Sequence, residues 1–257
     1  MNARFFDRLL LCSCLSFSMI GVVGCGEAPE ADDDEAFDDE AFEDGAEGGD
    51  GATLPASFAT CMGDASSTGA VMGPLGSMQA VGDSILGWNK EQMASIPDVV
   101  GQELGISMVN NAVGGAELGG PEGIPTLYTE GGFSHVLVNG GGNDFARGCS
   151  PSVLDGLISA DLTSGLMVEL IDRITGDGAQ AVIVGYYMPQ DRETGCELFP
   201  ELLARYRRLG ETRADVMYIC TLETITPDTP ALYADPVHPS QEGSAAVGRL
   251  IARTLRP

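Results

Sequence analysis

From residue 77 onward, short apolar runs alternate with longer segments whose apolar positions recur every three or four residues. The runs at 77–81, 106–109, 135–138, 181–187 and 216–220 are rich in Val, Ile and Met. Turn-forming residues border several of them, which predicts five strands. Between them, Met93, Ile96, Val99, Val100 and Leu104 fall at helical spacing over 92–104, with Pro97 obscuring where that helix starts. Leu162, Leu166, Leu170, Ile171 and Ile174 predict an amphipathic helix over 162–174. A basic amphipathic segment covers 201–213. The last helix is predicted over 240–255, with Ser240 as its N-cap and Ala245, Val247, Leu250, Ile251 and Leu255 among its apolar positions. Strands that are apolar along their whole length are buried on both faces. Their separation by helices predicts a mainly parallel five-stranded sheet inside a three-layer α/β/α sandwich. In such folds sites form beyond the carboxyl ends of the strands.

Upstream the pattern is different. Arg4 and Arg8 precede an almost wholly apolar stretch over 9–23, which ends Val22-Val23-Gly24-Cys25. This is the layout of a secretory signal, and the stretch is short for a span of about 20 residues. The last four residues resemble the lipobox of a bacterial lipoprotein. That resemblance implies a signal peptide over 1–24, cleavage before Cys25 and acyl chains on Cys25, enough for stable membrane anchoring. Gly26 after the cysteine resembles the default for sorting to the outer membrane. Residues 26–56 hold thirteen acidic residues and no Lys or Arg. Such a run repels itself and buries too little apolar surface to fold, so 25–56 is expected to be a solvated tether and 57–257 the folded domain. The acidic run lacks the D-x-[DN]-x-[DN]-G pattern of a calcium loop.

The formal charge of the whole chain is −25. Residues 51–257 still carry 24 acidic against 11 basic residues. That excludes nucleic acid as a partner, since it needs a basic face, and leaves the lipid anchor as the membrane contact. Four cysteines remain in the domain: Cys61, Cys149, Cys196 and Cys220. An even number in an exported domain suggests two disulfides, with three pairings open. Structural zinc is disfavoured, because no Cys-x₂-Cys spacing occurs and the chain has two histidines.

Four polar blocks follow predicted strands. They are Gly82-Asp83-Ser84, the stretch from Asn110 to Gly115, the stretch Asn139-Gly140-Gly141-Gly142-Asn143-Asp144, and Asp235-Pro236-Val237-His238-Pro239. On these blocks, present in the family order, residues 75–257 resemble the SGNH/GDSL hydrolase family. The resemblance implies a flavodoxin-like domain and a serine esterase that needs no metal or cofactor. A serine hydroxyl becomes a nucleophile when a base takes its proton, and histidine is the usual base near neutral pH. The resemblance makes Ser84 the nucleophile and His238 the base, with Asp235 orienting the imidazole. It assigns the oxyanion donors to the N–H of Ser84, to Gly115 and to the side chain of Asn143. Gly115 is preferred over its neighbour Gly114 because the family glycine lies five residues after the asparagine that ends the second strand. Asp83 is expected to be structural and His135 to pack in its strand. Ser84 is expected to open a helix or a loop turn, with a helix N-terminus adding positive potential at the site.

Cys149 follows the Asn143 block and Cys196 follows the fourth strand. Neighbouring strand ends favour the pairing Cys149–Cys196 with Cys61–Cys220. Segments 114–123 and 190–199 are expected to line the cleft. Neither is long or markedly apolar, which favours small acyl groups such as acetyl on a carbohydrate. The expected partner is an ester, either a small molecule or an acylated polysaccharide or lipid, turned over by a monomer at the bacterial cell envelope. A lipase, thioesterase or acyltransferase with the same triad is an alternative, as is a non-catalytic binding protein on this fold.

Overall fold

The computed structural model of the protein describes residues 67–190 and 196–256. The expected signal peptide over 1–24, the expected lipid site Cys25, the expected tether over 25–56 and Cys61 therefore lie outside the described residues. The sheet has the order β1-β6-β5-β4-β2-β3, built from Ser67–Thr68 (β1), Met78–Val81 (β2), Met108–Asn110 (β3), His135–Val138 (β4), Gln180–Val184 (β5) and Val216–Ile219 (β6). It thus has six strands, one more than the sequence pattern predicts. The extra strand, β1, pairs antiparallel with the end of β6 through Ser67↔Ile219 and Thr68↔Tyr218. Two residues are too few to display the alternation by which a strand is recognised.

The other five strands are parallel. Every residue of β2, β4, β5 and β6 is buried. Successive side chains on a strand point to opposite faces, so both faces of the sheet are covered. The five parallel strands follow the flavodoxin-like order, in which the chain steps outward from β2 to β3 and then crosses to β4 on the other side of β2. The crevice at such a switch point is the usual ligand site of an open α/β sheet. Here it opens between the ends of β2 and β4.

Local chemistry sets the helix boundaries. The helix expected over 92–104 begins later and covers Ile96–Leu104. Pro97 sits in its first turn, where a missing N–H costs nothing. Ser95 and Asp98 close a capping box ahead of it. The helix expected over 162–174 is Leu166–Gly176, and Leu162 instead takes a left-handed turn with φ 65°. The segment expected over 201–213 is helical from Phe199 to Thr212. The last helix, Gln241–Leu255, is capped by Ser240, whose side chain accepts from the Gly243 N–H. The fourth strand ends at Val184 rather than at residue 187, which frees Tyr186 and Tyr187 for the site. Among the described residues, no helix is long and apolar enough to cross a membrane.

Candidate active site

Ser84 opens a single helical turn, Ser84–Gly87, directly after β2. One turn sums few peptide dipoles, so the positive potential it adds at Ser84 is small. What fixes the serine is Asp83. Its side chain caps the turn by accepting from the Ile85 N–H at 2.9 Å. It also accepts from the Asn139 amide at 3.0 Å and the Tyr186 hydroxyl at 2.5 Å. The Asn139 oxygen accepts in return from the Asp83 N–H at 3.1 Å. Complete burial pushes the Asp83 carboxyl above its ordinary range, and these donors partly oppose the shift. The expected structural role for Asp83 therefore has named partners, Asn139 just past β4 and Tyr186 beyond β5. Gly82 is needed where Asn139 crosses this turn, since a Cβ there would lie 1.8 Å from the Asn139 side-chain oxygen.

His238 reaches the serine from a loop 154 residues further along the chain. Its Nε2 lies 2.9 Å from Ser84 Oγ, and its Nδ1 lies 2.8 Å from Asp235 Oδ2. The other oxygen of Asp235 accepts from the N–H groups of Val237 (2.9 Å) and His238 (2.8 Å). Burial pushes this carboxyl up, but those two N–H bonds and the imidazole outweigh it and hold Asp235 below the usual carboxylate range. The loop is tied down on several sides. The Ala234 N–H donates to the His238 carbonyl, the Gln190 N–H to the Pro236 carbonyl, and the Tyr187 hydroxyl to the Val237 carbonyl. His135 is fully buried at the start of β4, at the opposite end of that strand from this site. Its Nδ1 is beside Ser134 Oγ, and burial lowers its basicity. It packs, as expected.

The two remaining blocks meet. Asn143, in the short helix Gly142–Arg147 after β4, donates from Nδ2 to the Ala116 carbonyl at 2.9 Å. Its amide nitrogen carries a second hydrogen, and the residue lines the cavity beside Ser84. Asp144 accepts from the N–H groups of Leu118 and Gly119, so this short helix holds the glycine loop. Gly115 has φ +74°, a left-handed conformation that disfavours a Cβ. Gly114 packs on the serine, where a Cβ would sit 3.9 Å from that of Ser84. Of the two, Gly114 is the one that lies next to Ser84.

A cavity of about 310 Å³ opens beside Ser84. Its apolar walls come from Ile85, Phe145, Tyr186, Tyr187 and Phe199, with Cys196 and Val237 at its edge. Of the two segments expected to line a cleft, 114–123 supplies none of this lining. Segment 190–199 supplies Cys196 and Phe199, while its residues 191–195 lie outside the described ones. Cys196 is bonded to Cys149, one of the bridges expected. Cys220 is also disulfide-bonded; the expected pairing with Cys61 falls outside the described residues. The sequence reading missed the Asp83–Asn139–Tyr186 network, the aromatic wall, and Trp88, whose ring stacks on His238. Trp88 lies four residues after Ser84, a spacing that shares a helix face, and that was the available signal.

No family model matches the chain, and no curated protein matches it in sequence. Solved structures do match in shape. The chain has the fold of the SGNH hydrolases. It is similar to a member of the lipolytic G-D-S-L family from Veillonella parvula, at 14% identity and TM-score 0.54 over 69% of this chain and 96% of that one. It is similar to a psychrotrophic esterase from Pseudoalteromonas, at 15% identity and TM-score 0.51 over 70% and 96%. It is also similar to a carbohydrate esterase family 2 enzyme with a carbohydrate-binding domain from Myceliophthora fergusii, at 16% identity and TM-score 0.51 over 72% and 67%.

Proposed function

We propose that the protein is a serine esterase that hydrolyses carboxylic esters through an acyl-enzyme. The observation that carries this is the hydrogen-bonded chain Asp235–His238–Ser84 at the mouth of an apolar cavity. Ser84 Oγ attacks the ester carbonyl carbon while His238 Nε2 takes its proton. The carbonyl oxygen becomes an oxyanion facing Asn143, the Ser84 N–H and the Gly115 N–H. Collapse expels the alcohol, which receives the proton from His238. Water then attacks the acyl carbon while His238 takes its proton, and the second collapse releases the acid as Ser84 Oγ receives that proton from His238. Asp235, held ionised by its donors, keeps the proton of the imidazole on Nδ1 and balances the positive charge during each transfer.

The cavity lies at the small end of the roughly 300–1,000 Å³ range of ligand pockets, which supports short acyl groups over long chains. The likeness to a carbohydrate esterase supports an O-acyl carbohydrate as the natural substrate class. The expected result on a panel of p-nitrophenyl esters from acetyl to palmitoyl, with acetylated sugars added, is a kcat/KM that is highest for the short acyl groups. Hydrolysis of none of them would sink the esterase, and a palmitoyl optimum would overturn the acyl assignment.

The lipobox and acidic tether support action at the bacterial cell envelope, on the outer membrane, as a monomer held by lipid at Cys25. Labelled palmitate is expected in the wild-type chain and absent from Cys25→Ala; an unlabelled wild type would contradict the anchor.

A further inference from the structure

Trp88 is the single tryptophan of the chain. It lies flat on His238, with ring centroids 3.8 Å apart and planes 7° from parallel. Neutral aromatic pairs favour offset or edge-to-face arrangements. The Phe145–Phe199 and Tyr186–Phe199 pairs beside the cavity obey this, crossing at 69° and 63°. A close parallel stack suits a pair in which one ring becomes a cation, because the negative face of an indole attracts positive charge. His238 is such a ring: it becomes imidazolium each time it takes the Ser84 proton.

The backbone holds Trp88 in this place. Its N–H donates to the Ser84 carbonyl at 2.7 Å, closing the nucleophile's own helical turn. Asn89, next in the chain, sits at φ 62°, a left-handed conformation that asparagine tolerates. Its amide donates to the Pro239 carbonyl at 3.1 Å and to Ser244 Oγ at 3.0 Å. One dipeptide after the nucleophile turn therefore grips both the His238 ring and the chain that follows it. The charged groups that act on the imidazole are Asp235, from its own loop, and Asp83, from behind the serine. Lys90 is occupied elsewhere, donating to the carbonyls of Asn110 and Ala112.

We propose that Trp88 is a positioning residue of this site, and the proposal rests on the roles of Ser84 and His238 given above. Its indole face holds the imidazole in line between Asp235 and Ser84. The same face stabilises the imidazolium that forms as the proton moves. Asn89 fixes the loop so that the two rings stay in register.

The test compares Trp88→Phe and Trp88→Leu. Leu fills space without a π face, and is expected to lower kcat about 10-fold with KM little changed, the scale of a partly desolvated cation–π contact. Phe restores most of that loss. Leu and Phe variants equal in kcat, or a change in KM alone, would overturn the proposal. The indole also reports on its neighbour directly, since a protonated imidazole in contact quenches its emission. Wild-type emission is expected to change with pH, and the change to vanish in His238→Asn. Emission that titrates identically in both chains would overturn the stack. If no ester is turned over, the esterase reading fails, while the emission titration still decides whether the indole senses the imidazolium.

Discussion

Ser84→Ala is expected to reduce kcat/KM for p-nitrophenyl acetate by about 10³-fold or more, with the fold intact. The size follows from the chemistry. In the proposed mechanism the hydroxyl oxygen bonds to the acyl carbon, and its proton goes to His238 Nε2, 2.9 Å away. Removing it leaves oxyanion donors and a binding cavity, which support only the slow attack of water. Stability is expected to change little. The side-chain oxygen of Ser84 is at the cavity mouth, while the bonds that hold the turn belong to Asp83, Asn139 and Tyr186. Wild-type activity in this variant, measured on protein with an unchanged circular dichroism spectrum, would remove Ser84 from the mechanism.

Asn143→Ala is expected to lower kcat by about 10²–10³. A donor aimed at developing negative charge acts in the transition state more than in the bound substrate, so KM should move little. The side chain has a second task, since it holds the Ala116 carbonyl and hence the glycine loop. Loosening of that loop alone would appear mainly as a raised KM. The split between the two constants therefore separates the oxyanion role from the scaffolding role, and an unchanged kcat would exclude the former.

The sequence displayed the parts of this site that depend on residue type and order. Ser84, Asn143, Asp235 and His238 each follow an apolar run, and parallel strands gather such positions at one edge of the sheet. Ser240 was legible as a cap because its side chain acts on backbone three residues away. Features made by distant pairs were not legible. Tyr186 bonds Asp83 across 103 residues, and nothing local to either residue announces it. The predicted strand ran on through Tyr187 because the apolar run continues, whereas the paired register with β6 ends at Val184↔Ile219. The aromatic wall was missed for a related reason. Phe145 sits in the short helix that opens at the Asn143 block and Tyr186 beyond a strand end, so neither belongs to a segment that looked like a cleft. Segment 114–123, which did, is instead held by Asn143 and Asp144 as support for the glycine loop.

The central claim is that Ser84 is a nucleophile activated by His238. A fluorophosphonate reports this directly, because it bonds covalently to an activated serine and to few others. One phosphonyl adduct per chain is expected, mapped by peptide mass spectrometry to Ser84, and none in Ser84→Ala or His238→Ala. A folded wild-type chain that takes up no label, or takes it up on another serine, would contradict it.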